Sequence, residues 1–83
     1  MSQYYLLALG SNRRHVQYGG PRAVLRAAEA ALAAVGEVLA VAPIIDSAPI
    51  GPSLRTYANG AVVVQSALEP PAMLCALKAI EAA

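Results

Sequence analysis

The sequence is poor in the residues that build metal centres and covalent cross-links. Its 83 residues include one cysteine, Cys75, and one histidine, His15, and one residue of each kind cannot complete a zinc site. Because a lone cysteine cannot form an internal disulfide, we expect a reducing compartment, the cytoplasm. The acidic residues are well separated and offer no obvious carboxylate pair for magnesium: Glu29, Glu37, Asp46, Glu69 and Glu81.

Charge is also scarce, which narrows the classes of partner. Charged residues make up 13% of the chain and the net charge is +1, so no basic stripe exists that would attract nucleic acid. The N-terminal stretch lacks the charged region of a signal peptide. Charged or helix-breaking residues interrupt every apolar run before it reaches membrane-spanning length, so we expect no membrane partner. Phosphate-binding loops of the Walker type, dinucleotide fingerprints and nucleophile elbows are absent.

Apolar residues, by contrast, are abundant for so short a chain. Hydrophobic residues make up 58% of the sequence and its mean hydropathy is +0.53. A chain of this length has room for one small domain, and such a domain buries only about 60% of its unfolded surface. We therefore expect that further chain or a partner covers part of this surface.

The order of apolar runs and breakers predicts a β-α-β-β-α chain. We expect strands and helices to alternate as in the first five elements of a ferredoxin-like β-α-β-β-α-β fold, an α+β sandwich with an antiparallel sheet. The predicted elements are a strand over 4–9, a helix over 21–35, strands over 38–47 and 57–67, and a helix from 69 onward.

Individual residues refine this prediction. Pro21 suits the first turn of the first helix, and Gly36 is typical of a left-handed cap at its end. Pro43 predicts an edge position or a bulge in the second strand. On the first helix we expect one solvated face, made of Arg22, Arg26 and Glu29. On the second helix we expect a buried apolar stripe, with Cys75 as a small core residue beside it: Met73, Leu74, Leu77 and Ile80.

Three local features have both a structural and a functional interpretation. Gly10-Ser11-Asn12 follows the first strand and is either a simple turn or a source of backbone and side-chain polar groups. The segment 47–52, Ser-Ala-Pro-Ile-Gly-Pro, is either a stiff connector or a rigid wall for a planar heterocycle. Tyr57 and Asn59 lie two apart in a strand and therefore share a face. They are either ordinary sheet residues or a stacking ring beside an amide that matches a pterin or purine edge.

Together these features resemble a known enzyme family. The strand end ALGSN, the loop SAPIGP, the strand YANGAVVV and the helix MLCALKAIEAA occur in the order and near the spacing of the 6-hydroxymethyl-7,8-dihydropterin pyrophosphokinases. The resemblance implies a ferredoxin-like sandwich and an ATP-dependent step of folate biosynthesis, in which the hydroxymethyl oxygen attacks the β-phosphorus of ATP and AMP leaves. It implies ATP and Mg²⁺ as partners, with the protein positioning reactants and neutralising charge.

The resemblance also implies which residues bind. Those at the nucleotide are Leu74, Lys78 and Glu81, with Lys78 in place of a common glutamine. The segment from Arg13 to Gly20 matches a mobile loop that closes over the site. Contacts to the pterin are implied for Ser47, Ala48, Pro49, Ile50, Tyr57 and Asn59, where Ser47 replaces threonine, Ala48 replaces proline and Ile50 replaces leucine.

The resemblance stops short of the family's metal-binding motifs. Members of the family continue with a tryptophan and arginine motif and an Asp-x-Asp pair that holds magnesium, whereas this sequence has no tryptophan and Asp46 as its one aspartate. We therefore expect residues 1–83 to be the N-terminal part of a single domain, inactive alone, with no catalytic residue or metal ligand. The alternatives are a non-catalytic pterin-binding fragment or a strand-pairing module, and we expect self-association through the free edge of strand 4–9.

Overall fold

The computed structural model describes residues 2–11, 19–47 and 57–82. They form an antiparallel sheet and two α-helices, which confirms the predicted α+β class and the β-α-β-β-α order. Pro21 is in the first turn of the first helix, as expected, and a short 3₁₀ turn, Leu32–Ala34, extends that helix. The elements are β1 Gln3–Ser11, α1 Pro21–Ala31, β2 Glu37–Val41, β3 Ile45–Ser47, β4 Tyr57–Ser66 and α2 Pro70–Ala82.

β4 is the central strand of the sheet. It has ten residues and a run of three valines, a composition that favours a buried strand. β1 pairs with one side of β4 in an antiparallel register that places Leu7 opposite Val62. β2 and β3 pair antiparallel with the other side. The order of the sheet is therefore β1-β4-β2, with β3 beside β4 in line with β2.

The predicted strand over 38–47 is interrupted near Pro43, so that it forms two strands. Residues 42–44 belong to neither β2 nor β3, because proline has no backbone N–H for the ladder. The Ala42 N–H still donates to the Ala61 carbonyl at 2.8 Å. The register of β2 against β4 also shifts between Val38 and Ala40. The expectation of an irregular edge strand at Pro43 is confirmed.

The two faces of the sheet differ because the helices cover only one of them. We call the covered side the inner face and the other the outer face. Even-numbered residues of β4 face inward, and Val62 and Val64 are 1% and 0% exposed. With Leu32 they form the centre of the core, against which Leu7 also packs. The apolar residues that complete this cluster are Leu9, Val35, Val38, Leu77 and Ile80.

Polar contacts hold the β4–α2 connection in place. The Ser66 hydroxyl is buried, donates to the Val35 carbonyl at 2.5 Å and accepts from the Leu68 N–H at 3.1 Å. The Tyr5 hydroxyl donates to the Leu68 carbonyl at 2.7 Å. The Gln3 amide donates to the Glu69 carboxylate at 3.0 Å. These bonds join β1, the end of α1 and the start of α2 around one corner of the sheet.

The predicted left-handed cap at Gly36 is wrong. Among the described residues the glycine with a positive φ is Gly19, at 98°. Gly36 is instead required by a close approach of the backbone to β4. A Cβ at this position would overlap the Gln65 carbonyl oxygen and lie 2.9 Å from Val64 Cγ1.

Two residues expected in the core of α2 are exposed. Leu74 is 56% exposed and Cys75 is an exposed free thiol, so the expected core roles of both are wrong. Met73 is 2% exposed, and Leu77 and Ile80 pack against the core cluster. The buried stripe of α2 is therefore a single row of residues spaced i, i+4 and i+7, since α2 rests on the sheet along one ridge.

The outer face retains exposed apolar side chains. Tyr4 and Leu6 of β1 are 70% and 76% exposed, and Ile45 of β3 is 66% exposed. These exposed side chains agree with the expectation that so short a chain cannot bury all of its apolar surface. Among the described residues, no helix is long and apolar enough to cross a bilayer.

Candidate functional site

Tyr57 and Asn59 meet over Gly10 on the outer face. The β1–β4 register places Gly10 directly opposite Asn59, and Tyr57 stands two residues away on the same side, as its spacing predicts. A Cβ built on Gly10 would lie 3.4 Å from Tyr57 Cε1 and 3.6 Å from Asn59 Oδ1. The ring and the amide therefore lean over a backbone position that has no side chain. The result is a shallow recess with a glycine floor.

β3 borders this recess from the other side of β4. Its register places Ile45 opposite Asn59 and Ser47 opposite Tyr57. Ile45 therefore adds an exposed apolar side chain next to the amide. The Ser47 backbone is described, whereas its side chain and the predicted pterin residues Ala48, Pro49 and Ile50 lie outside the described residues.

The recess has the chemical groups that a flat heterocycle needs. Tyr57 is 45% exposed and offers an aromatic face for stacking. The Asn59 amide carries an N–H donor group and a carbonyl acceptor. Because Gly10 has no side chain, the Tyr57 ring and the Asn59 amide lie close to the backbone of β1. These groups favour a small planar ligand with donors and acceptors along its edge.

The predicted nucleotide residues lie on α2, on the other side of the sheet from this recess. Leu74, Lys78 and Glu81 are exposed and follow one another at i, i+4 and i+7, so they share one side of the helix. α2 packs on the inner face through the adjoining row of Met73, Leu77 and Ile80. The sheet therefore separates these residues from Tyr57 and Asn59.

A second cleft lies between α1 and the β2–β3 connection. Its volume is about 400 Å³, and Arg22, Arg26 and Glu29 line one side. Arg22 donates to the Ile44 carbonyl at 2.7 Å and pairs with the Asp46 carboxylate at 3.4 Å. These contacts connect α1 to residues at the break between β2 and β3. They indicate that Arg22 stabilises the fold there.

Glu29 in this cleft does not belong to the solvated face that the sequence predicts. Its Oε1 atom is buried and has no hydrogen-bond partner within the described ranges. A Cβ on Gly60 would lie 3.4 Å from this oxygen and 3.4 Å from Leu25 Cδ2. The glycine in β4 thus makes room for Glu29 and Leu25 beneath α1, a tertiary requirement that helical spacing does not reveal.

The expected closing loop falls mostly outside the described residues. Of the segment from Arg13 to Gly20, the structure describes Gly19 and Gly20. Gly19 has a φ of 98°, a value that favours glycine over other residues.

A family comparison decides which enzyme family this arrangement represents. The model of the family 7,8-dihydro-6-hydroxymethylpterin-pyrophosphokinase (HPPK) matches residues 6–83. The chain belongs to this family. A search of curated proteins found no match. Membership of the HPPK family makes the chain a relative of folate-pathway transferases with kinase chemistry.

The described part of this HPPK chain does not fit a magnesium ion. Within residues 2–11, 19–47 and 57–82, no group of three histidine, cysteine, aspartate or glutamate side chains could hold a metal. Asp46 is paired with Arg22, and Glu69 accepts a hydrogen bond from Gln3. Mg²⁺ requires a near-octahedral set of oxygen ligands, which these separated carboxylates do not provide.

In this HPPK chain the structure places Tyr57 and Asn59 on one face, as the sequence predicts, and adds two neighbours that the sequence pattern does not indicate, Gly10 and Ile45. The sequence pattern assigns Gly10 to a turn or a polar strand end, whereas its contact with Tyr57 depends on the β1–β4 register. The same pattern places Ile45 within a long strand over 38–47 and gives it no role in a site. Both neighbours follow from strand registers, which oppose Gly10 to Asn59 across β1–β4 and Ile45 to Asn59 across β3–β4.

Proposed function

We propose that residues 1–83 are the N-terminal part of a single pyrophosphokinase domain and provide its pterin-recognising half. The observation that carries this proposal is the placement of Tyr57 Cε1 and Asn59 Oδ1 over the Gly10 backbone. Family membership over residues 6–83 supports a pterin as the flat heterocycle. The proposed reaction is ATP-dependent diphosphate transfer to 6-hydroxymethyl-7,8-dihydropterin.

Each residue of the pterin half has a proposed role. Tyr57 stacks on the pterin ring, and Asn59 pairs with its donor and acceptor edge. Ser47 is backbone-paired with Tyr57, so its hydroxyl is proposed to reach the same ligand. The following residues Ala48, Pro49 and Ile50 are proposed to form a rigid wall with few backbone donors.

The nucleotide half is proposed to involve Leu74, Lys78 and Glu81 of α2, with ATP and Mg²⁺ as in the family. Because the described carboxylates do not form a magnesium site, we propose that the 83-residue chain is inactive alone. Uncompensated phosphate charge raises the barrier to phosphoryl transfer. The proposed location is the cytoplasm, since a single cysteine suits a reducing compartment.

The pterin half is tested by titrating the chain with 6-hydroxymethylpterin and following the ligand's fluorescence. We expect Asn59→Ala to weaken binding about tenfold or more, because an unmatched polar edge costs about 1–3 kcal/mol. Gln65→Ala is the matched control, since Gln65 is also an amide on the outer face of β4 and lies opposite Tyr4. Equal affinity of Asn59→Ala and the unmodified chain would show that the amide does not recognise the ring.

Catalysis is tested separately by AMP release from ATP with magnesium and 6-hydroxymethyl-7,8-dihydropterin. We expect no release above the rate without protein. Turnover by a preparation of verified mass would refute the proposed inactivity and would require metal ligands outside the described residues.

A second candidate function is that of a strand-pairing module, which is supported by the position of β1 at one end of the sheet that the described strands form. Self-association through this edge is proposed in either case. A chain that self-associates but does not bind pterin would favour the module over the binding fragment.

A further inference from the structure

Asn59 lies between two strand neighbours that differ strongly in size. The registers place Gly10 opposite Asn59 across β1–β4 and Ile45 opposite Asn59 across β3–β4. Directly opposed residues of antiparallel strands lie on one face, with Cβ atoms about 4.5–5.5 Å apart. On the β1 side Asn59 therefore faces a position without a side chain, and on the β3 side it faces a β-branched residue.

Ile45 lies on the same face as Asn59, because the residues on either side of it are turned toward the helices. Asp46 forms an ion pair with α1, and Ile44 Cγ1 would lie 3.9 Å from a Cβ on Gly60, beneath α1. Successive side chains of an extended segment point to opposite faces. The Ile45 side chain therefore points to the outer face and stands beside the Asn59 amide.

The Asn59 side chain leans away from Ile45. Its Oδ1 atom is 3.6 Å from a Cβ built on Gly10, which is nearer than the separation of about 4.5–5.5 Å between the Cβ atoms of an opposed pair. Tyr57 leans in the same direction, since its Cε1 atom is 3.4 Å from that Cβ, whereas diagonal partners are about 7–8 Å apart. Both groups of the recess are therefore turned toward the glycine and away from β3.

We propose that Ile45 is a positioning residue, which holds the Asn59 amide over Gly10 by blocking the side-chain rotamers that lean toward β3. The χ1 angle of an asparagine has three staggered wells, which direct its amide to different sides. Because a β-branched side chain is itself restricted at χ1, Ile45 is a stiff obstacle on one side, and Gly10 leaves the other side open. The effect on pterin recognition rests on the proposed function, whereas the rotamer preference does not.

A restricted Asn59 favours binding without any contact between Ile45 and the ligand. A mobile side chain loses rotamer freedom when a ligand pairs with it, and this loss weakens the affinity. An amide that is already held over Gly10 avoids most of the loss. Removing the branched side chain of Ile45 should therefore weaken binding about two- to tenfold, the scale of ordering one polar side chain.

The rotamer preference is tested on the chain without ligand by nuclear magnetic resonance. Three-bond couplings to the Asn59 β-protons report its χ1 angle, and Overhauser effects from its side-chain amide to the Gly10 α-protons report the lean. We expect one dominant rotamer in the unmodified chain. Ile45→Ala should average the couplings and weaken the Overhauser effect about twofold or more, because the staggered wells then share the population.

Leu6→Ala is the matched control for this measurement. Leu6 is also an exposed apolar residue of the outer face, but it lies opposite Val63 and not opposite Asn59. Its removal should leave the Asn59 couplings unchanged. Couplings and Overhauser effects that are the same in Ile45→Ala and the unmodified chain overturn the positioning role.

Two conservative variants separate positioning from a direct apolar contact with the ligand. Valine and threonine are both branched at Cβ, but threonine is polar. Ile45→Val and Ile45→Thr should both keep the Asn59 rotamer and bind 6-hydroxymethylpterin within about twofold of the unmodified chain, whereas Ile45→Ala should bind about two- to tenfold more weakly. If Ile45→Thr binds as weakly as Ile45→Ala while Ile45→Val binds normally, the side chain acts as an apolar contact and the positioning role is overturned. If the unmodified chain binds no pterin, the proposed function fails, and the couplings still decide the role of Ile45.

Discussion

The inner face of the sheet is buried in the core, whereas the outer face of the same strands is exposed and carries the candidate site. In β4 the inward residues Ala58, Val62 and Val64 are at most 1% exposed, whereas the outward residue Tyr57 is 45% exposed. The inner face carries the packed core beneath the helices. The outer face carries the ring, the amide and the glycine floor of the candidate site. Substitutions on the inner face should therefore change the free energy of unfolding, and those on the outer face should mainly change binding.

The largest expected difference between the faces comes from two leucines. Leu32 is 1% exposed in the core, and Leu6 is 76% exposed on the outer face. Leu32→Ala should lower the free energy of unfolding by about 2–5 kcal/mol, since it removes buried methyl groups and leaves a cavity. Leu6→Ala should change it by about 0.5 kcal/mol or less. Urea unfolding followed by far-UV circular dichroism measures both.

The two leucine variants are measured at the lowest usable protein concentration, where self-association contributes least to the measured stability. Equal destabilisation by the two alanines would show that the outer face is also packed, by chain or by a partner, under the conditions of the experiment.

A smaller difference in stability is expected between alanine substitutions at two glycines, Gly36 and Gly10. A Cβ on Gly36 would overlap the Gln65 carbonyl oxygen, whereas a Cβ on Gly10 would meet Tyr57 and Asn59 at ordinary contact distances. Gly36→Ala should cost about 1–3 kcal/mol, because β4 must shift to admit the methyl group. Gly10→Ala should leave stability nearly unchanged and weaken pterin binding by filling the recess. Thermal unfolding together with the pterin titration checks both, and a stable Gly36→Ala chain contradicts the close approach.

The glycines also show how far the sequence predicts the structure. The element order and the shared face of Tyr57 and Asn59 follow from alternation and breakers, which are local. The need for glycine at position 36 arises from contact with β4, nearly thirty residues away in sequence, so local rules assign it to a helix cap. The buried oxygen of Glu29 likewise depends on a space above Gly60. What sequence patterns miss here are contacts between elements whose register is not yet known.

The exposure of Cys75 and Leu74 has the same origin. Helical spacing permits a broad apolar stripe on α2, but the width that is buried depends on what lies beside the helix. The large apolar residues of α2 that meet the core are Met73, Leu77 and Ile80, which form one row. The predicted site residues Ala48, Pro49 and Ile50 stay predictions, since they lie outside the described residues.

A buried hydrogen bond tests whether replacing a polar group on the inner face also lowers the free energy of unfolding. The Ser66 residue is 3% exposed, and its hydroxyl bonds the Val35 carbonyl and the Leu68 N–H. Ser66→Ala should cost about 1–3 kcal/mol, because two backbone groups lose their partner away from water. Ala67→Ser, an exposed neighbour, is the control for substitutions near this turn. A chain with Ser66→Ala that is as stable as the unmodified chain would imply that water replaces the hydroxyl.

The smallest expected effect shows that burial, rather than the choice of face, sets the cost of a substitution. Arg22 of α1 pairs with Asp46 of β3 on the helix side of the sheet, but their side chains are 44% and 51% exposed. Arg22→Ala should therefore lower stability by only about 0.2–1 kcal/mol, since solvent screens an exposed ion pair. Arg26→Ala is the matched control, because Arg26 lines the same cleft and forms no ion pair within the described residues. Urea unfolding in low and high salt measures the stability of both variants. If Arg22→Ala lost as much stability as Leu32→Ala, exposure would not explain the cost. The hydrogen bond from Arg22 to the Ile44 carbonyl would then hold the strand break in place.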